Sequence, residues 1–304
     1  VSDWHLLGAG SVGCWFAARL HAAGIPVTLL LRNAAARAGY LARDGITLEL
    51  PEGMLHARPP AVIAGGNVPA CLLVCTKTPD TLDALATVFP QRDAQAAVVL
   101  LQNGMGMAQA VQARWPRLRL YNAVTTAGIF RASPWRFHCV ATGETCVAEP
   151  GRDAPAGDVA AIHAVADAGL WQTDSRIEQR LWQKLAVNAV INALTGIHQC
   201  RNGELENIDD AATLIPQLAA EVDAVAAAEG IRLAPDALTA ARAVMRSTAG
   251  NLSSMNRDLA AGRRTEIDAI NGFVVARASA HGIPVPANEQ VLSAVHALEA
   301  RSSG

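Results

Sequence analysis

The stretch Trp4-His-Leu-Leu-Gly8-Ala9-Gly10-Ser11-Val12-Gly13, followed by Cys14-Trp-Phe-Ala-Ala-Arg-Leu20, decides the fold. A short apolar run reads as a buried strand. Three glycines at G-x-G-x-x-G spacing follow it, and apolar residues at helical spacing then run from Ser11 to Ala23, stopping at Gly24. Each glycine serves a physical purpose: the first makes a tight turn, the second lets the backbone approach a pyrophosphate, and the third lets the helix pack closely on the strand. The helix start adds unpaired N–H groups and a favourable dipole for phosphate oxygens. A strand before and a helix after make this a dinucleotide-binding fingerprint; the glycines alone would fit a structural turn.

Outward from it the first half alternates. Val27–Leu31, Cys71–Cys75 and Val98–Leu101 are continuous apolar runs of strand length, as parallel strands buried on both faces require. Thr145–Ala148 and Leu170–Thr173, flanking a helix over Asp158–Ala168, are expected to close the sheet. From Ser175 the pattern is helical: Ile177–Thr195, Ala211–Glu229, Pro235 to about Arg263, Thr265–His281, and a last helix from Asn288. The expectation is an α/β chain: a Rossmann-type, doubly wound parallel sheet over residues 1–174 for the cofactor, then an all-α substrate and catalytic domain over 175–304.

The 304 residues suffice for two cores, and 51% hydrophobic against 17% charged residues exclude a disordered chain. A net charge of −2 offers no footprint for nucleic acid or an anionic membrane, so small molecules are the expected partners. No apolar run is expected to span a bilayer, and the start lacks the pattern of a secretory signal. Cys14, Cys71, Cys75, Cys139, Cys146 and Cys200 form no CxxC pair and read as core residues, so no metal site and a reducing cytoplasm are expected. A monomer and a homodimer both remain open.

The second strand selects the dinucleotide. Where an NAD site carries Asp or Glu, this chain carries Arg32 and then Asn33, with no carboxylate before Asp44. A guanidinium pairs with a 2′-phosphate that a carboxylate would repel, so the expected cofactor is NADP, against the plainer reading of a solvated arginine. Lys77 and Asn103-Gly-Met-Gly106 follow two further strands and point to the same crevice. On position alone Lys77 reads equally well as a loop lysine.

In the helical half, Lys184, Asn188 and Asn192 stand at i, i+4, i+8 on a helix that is otherwise apolar almost all round. One cation and two short amides describe a cavity lining better than a solvated stripe, and such a lysine is a candidate acid. Whether burial lowers its pKa or Glu266 raises it is left open. Glu266 lies at a helix start, where a carboxylate is equally a routine cap.

Together these motifs resemble the ketopantoate reductase family, nearly end to end and in order: Gly8-Ala-Gly-Ser-Val-Gly13, Asn103-Gly-Met-Gly106, Leu181-Trp-Gln-Lys-Leu-Ala-Val-Asn-Ala-Val-Ile-Asn-Ala-Leu-Thr-Gly196, Asn202-Gly-Glu-Leu205, Asn251-Leu-Ser-Ser-Met255 and Thr265-Glu-Ile-Asp-Ala-Ile-Asn-Gly272. The resemblance implies NADPH-dependent reduction of 2-dehydropantoate to (R)-pantoate, in pantothenate biosynthesis. It implies that Lys184 donates the proton and that Asn103, Lys184, Asn188, Asn192, Asn202 and Ser254 bind substrate. Asn103 and Glu266 would lie by the nicotinamide, with Glu266 also at the substrate. Gly8, Ala9, Gly10, Ser11, Val12, Gly13, Arg32 and Lys77 would hold the cofactor. Thr125-Thr-Ala-Gly128, Cys75-Thr76 and Ile129–Phe137 depart from the family pattern. Two rivals are a reductase of another 2-oxo acid or an imine, and a non-catalytic NADP sensor, for which a buried acid has no use.

Overall fold

The computed structural model describes residues 3–66 and 68–302. Two compact units result. One holds the chain up to Gln102 with Met107–Ile177; the other holds Asn103–Gly106 with the chain from Glu178 onward.

The first unit contains β1 (Trp4–Leu7), α1 (Ser11–Ala22), β2 (Val27–Leu31), α2 (Ala34–Ala42), β3 (Ile46–Leu50), β4 (Gly53–Ala57), β5 (Ala61–Ile63), β6 (Cys71–Val74), α3 (Thr78–Val88), β7 (Ala97–Leu100), α4 (Met107–Arg114), β8 (Arg119–Thr125), β9 (Gly128–Ser133), β10 (Arg136–Ala141), β11 (Thr145–Ala148), α5 (Ala156–Asp167) and β12 (Gln172–Asp174). An eight-stranded sheet runs β12-β11-β8-β7-β6-β1-β2-β5. Its neighbours are parallel, as expected, except β8 and β11, which pair antiparallel. The chain leaves β1 towards β2 and returns on the other side at β6, which puts the switch point at the carboxyl end of β1.

The apolar runs are explained by burial on both faces. Trp4, Leu6, Leu29, Leu73 and Val99 enter the core that α1 covers; Leu7, Leu30, Leu72 and Val98 enter the core under α3 and α4. Each such side chain, once removed from water, contributes roughly 1.5–3 kcal/mol before entropy is counted. A second sheet, β4-β3-β10-β9, was not expected. It packs Ile46, Leu48 and Phe137 into the core shared with α1.

The second unit contains α6 (Ile177–His198), a 3₁₀ turn over Asn202–Asn207, α7 (Asp209–Ala228), α8 (Ala237–Ser247), α9 (Ser254–Ala260), α10 (Ile267–His281) and α11 (Pro286–Ser302). The single helix expected from Pro235 to Arg263 is two. Asp236 caps α8 and Ser253 caps α9, each accepting an N–H three residues on, and the break between them holds Gly250 and Asn251. One expectation about membranes is also corrected. α7, at 20 residues and mean hydropathy 1.2, is long and apolar enough by length and composition to cross a bilayer. It carries Asp209, Asp210, Glu221 and Asp223, however, and buries Ile215, Leu218, Val222 and Val225 in the core of its own unit. That is what a core helix of a globular unit does.

Candidate functional site

The glycine loop lies at the switch point. Gly8 has φ +105°, and a Cβ there would sit 2.5 Å from the Thr76 nitrogen, so only glycine lets the end of β1 lie against the end of β6. A Cβ on Gly13 would meet the Gly8 carbonyl oxygen at 2.0 Å, which fixes how closely α1 packs on the loop. Gly10 differs: a Cβ there would meet nothing within 4 Å. This glycine faces open space at the helix start, and the first turn of α1 holds no acidic residue. An open, backbone-lined helix start free of carboxylates fits a dinucleotide pyrophosphate.

Ala9 belongs to the same loop, and Ser11 and Val12 open α1. Arg32 follows β2 directly and is exposed. Lys77 follows β6 as the N-cap residue of α3 and is half-buried, its carbonyl accepting from the Thr81 hydroxyl.

In the helical unit the structure joins three of the expected residues. The Lys184 ammonium donates to Asn103 Oδ1 at 2.8 Å, and Asn103 Nδ2 donates to Glu266 Oε2 at 2.8 Å. These polar groups settle the amide's orientation, since the reverse would set NH₂ against ammonium and C=O against carboxylate. Burial pulls the Lys184 pKa down to about 8, while the Glu266 charge pulls it up. An amine so placed is protonated at neutral pH and able to release its proton. Glu266 stands at the N-cap of α10 but makes no capping bond; Thr265 Oγ1 accepts from the Ile267 N–H instead. Glu266 therefore does not cap the helix, although its carboxylate stands at the positive end of the helix dipole.

The glycines after Asn103 explain how a residue at the end of a strand joins this unit. Gly104 has φ +81°, and a Cβ there would lie 2.3 Å from the Ala269 carbonyl oxygen. The neighbouring Met105 N–H donates to that same oxygen at 2.8 Å. Asn103 is thus set on the first turn of α10, beside Glu266.

Asn188 is half-buried and Asn192 buried on the same stripe of α6, one and two turns beyond Lys184. The stripe advances about 12 Å from Lys184 to Asn192 at 1.5 Å per residue. It leads to the end of α6, where α9 is fastened. Thr195 Oγ1 donates to Ser253 Oγ at 2.8 Å, and Asn256 Nδ2 donates to the Thr195 and Cys200 carbonyls. Ser253, Asn256 and Thr195 were missed in the sequence; the Ser-x-x-Asn spacing at a helix start was the available signal. They hold Ser254, which opens α9 and is exposed. Asn202 is 7% exposed; its Nδ2 donates to the Thr248 hydroxyl, and its Oδ1 is buried without a hydrogen-bond partner. No direct bond joins Asn188, Asn192, Asn202 or Ser254 to the Lys184–Asn103–Glu266 relay among the described residues.

A Rossmann-type sheet with an open glycine loop, and a helical unit carrying a hydrogen-bonded lysine of lowered pKa, fit a nicotinamide-linked oxidoreductase. The profile described as ketopantoate reductase PanE/ApbA matches residues 4–151, and that of the ketopantoate reductase PanE/ApbA C terminal matches residues 176–299. The 2-dehydropantoate 2-reductase of Vibrio cholerae is 33% identical over 303 residues, 97% of each chain. That of Halobacterium salinarum is 33% identical over 285 residues, 92% of this chain and 93% of its own. The chain belongs to the ketopantoate reductase family. A solved PanE/ApbA family ketopantoate reductase from Ralstonia eutropha JMP134 superposes with TM-score 0.86 at 30% identity, covering 99% of this chain and 100% of that one. D-mandelate dehydrogenase, solved with NADH and anilino(oxo)acetate, superposes with TM-score 0.86 at 23% identity over 99% and 100%. At that identity it shares the fold alone.

Proposed function

We propose that the chain reduces 2-dehydropantoate to (R)-pantoate with NADPH, in the cytoplasm. The observation that carries this reading is the relay Lys184–Asn103–Glu266, in a chain matched to ketopantoate reductases along both halves. Residues 1–174 form the cofactor domain in this reading. Residues 175–304, with the Asn103 loop folded against them, form the substrate and catalytic domain.

NADPH, when bound, supplies the hydride. The residues of Gly8–Gly13 hold its pyrophosphate, Arg32 its 2′-phosphate, and Lys77 a further contact at the end of β6. The Lys184 ammonium faces the keto oxygen, stabilises the charge growing there and gives it a proton. Asn103 keeps that ammonium aimed and lies by the nicotinamide. Glu266 anchors Asn103 and receives a substrate hydroxyl. Asn188, Asn192 and Asn202 offer amides along and beyond the stripe, and the unpartnered Asn202 Oδ1 suits a hydroxyl donor. The exposed Ser254 hydroxyl receives the substrate carboxylate without adding charge.

The test is NADPH consumption against a panel of 2-oxo acids and cyclic imines. The expected result is a kcat/KM for 2-dehydropantoate at least tenfold above every other member. A higher value for another 2-oxo acid, or turnover of none, overturns the assignment.

A further inference from the structure

We infer that Arg131 is a further cofactor-binding residue, whose guanidinium takes the dinucleotide pyrophosphate at the glycine loop. The inference rests on the reading above that this loop holds a dinucleotide. Arg131 lies on β9, in the second sheet, 122 positions along the chain from the residue it touches. Its Nη2 donates to the Ala9 carbonyl oxygen at 3.2 Å, in the middle of the glycine loop. The guanidinium carbon stands 5.5 Å from the centre of the Phe137 ring, within the range at which a ring face attracts a cation. The charge is thus aimed at the loop from one side by a buried ring and from the other by a carbonyl.

Two explanations compete. Arg131 either pins the second sheet to the loop or waits there for an anion. A pin has little to add. The second sheet is already fastened to α1 through buried Ile46, Leu48 and Phe137, and one exposed hydrogen bond adds little to that. An anion site has much to gain. A guanidinium carries five N–H donors, and this hydrogen bond uses one of them. The neighbouring Gly10 faces open space, and the first turn of α1 holds no carboxylate to repel a phosphate. Arg131 is also exposed, so its remaining donors reach a ligand without rearrangement of the core. Charge-assisted bonds to phosphate oxygens are about twice as strong as the neutral bond to Ala9. Arg32, at the end of β2, is left for the 2′-phosphate, so the two arginines divide the anionic groups between them.

The experiment measures equilibrium binding to the intact chain of three probes: NADPH, 2′-phospho-ADP-ribose, which keeps the pyrophosphate, and 2′-AMP, which lacks it. Wild type, Arg131→Gln and Arg131→Lys are compared at two salt concentrations, with thermal midpoints to establish that each variant is folded. Arg131→Gln is expected to raise Kd about tenfold for the first two probes and to leave 2′-AMP unchanged. Arg131→Lys should recover part of the loss, and the salt dependence of NADPH binding should be shallower in Arg131→Gln. An unchanged Kd for NADPH, or an equal loss for 2′-AMP, overturns the assignment of Arg131. Wild type that binds none of the three probes sinks instead the dinucleotide reading on which it rests.

Discussion

Replacing Glu266 by glutamine removes a charge from the relay while keeping its shape, and its effect is read in the pH dependence of turnover. In the wild-type chain burial lowers the Lys184 pKa to about 8 against the opposing pull of Glu266. The glutamine still accepts the Asn103 N–H, but burial then acts unopposed. At an effective dielectric of about 20, the attraction between two charges linked through one side chain is on the order of 2 kcal/mol. At 1.36 kcal/mol per unit the Lys184 pKa falls by about one to two units. Only the protonated amine donates, so activity is lost as pH rises through the Lys184 pKa. The alkaline limb of kcat should therefore move from near pH 8 towards pH 6–7 in Glu266→Gln, by the same one to two units. The assay is steady-state kcat from pH 5 to 10 with both substrates saturating. A lower plateau at acid pH reports direct contacts of Glu266 and leaves the position of the limb readable. A limb that stays in place, or moves to higher pH, refutes the view that Lys184 is the acid and Glu266 its electrostatic partner.

Arg32→Asp should weaken NADPH binding by a few kcal/mol and NADH binding much less; equal losses in a titration would remove the 2′-phosphate from Arg32. The adjacent serines should separate cleanly. Ser254→Ala is expected to raise KM for 2-dehydropantoate about tenfold with kcat nearly kept, whereas Ser253→Ala loses the α9 cap and about 1 kcal/mol of stability, seen as a lower thermal midpoint. Lys184→Met should abolish turnover and raise the midpoint at pH 7 by a few degrees. The folded-state pKa of about 8 lies below the ordinary 10.5, so holding the charge costs at most about 3 kcal/mol below pH 8, and the gain should vanish as pH rises from 8 to 10.5.

What could be read in the sequence follows from how each residue is buried. β1, β2, β6 and β7 are covered on both faces, so they appear as unbroken apolar runs that single-sequence periodicity detects. β4 is largely exposed, β9 is half-buried over most of its length, and β3 alternates as Ile46-Thr-Leu-Glu-Leu50; short runs of this kind look like loop until a partner strand is known. The polar stripe of α6 was legible because helical spacing is local. The bond from Asn103 to Glu266 spans 163 positions and was not, although each residue stands out by itself. Neither was the different placing of Ser253 and Ser254, since either hydroxyl can cap a helix and only the bond from the Asn256 N–H identifies Ser253 as the one that does.

The relay Lys184–Asn103–Glu266 ties this geometry to the proposed chemistry. A lysine paired directly with a carboxylate is held as a cation, its pKa raised by the contact, and it gives up a proton poorly near neutral pH. A lysine buried with no carboxylate nearby loses its proton before the reaction needs it. This chain sets burial against the Glu266 charge, and Asn103 holds both groups: its oxygen accepts from the ammonium and its NH₂ donates to Glu266. Burial remains the larger influence and the pKa settles at about 8. In the proposed reaction such an amine would be charged when a 2-oxo acid arrives and weak enough in its hold to release the proton. In the proposed role, the fixing of Asn103 against Ala269 through Gly104 and Met105 bears on the acid itself, because a shift of that loop would change both the aim of the ammonium and its proton affinity.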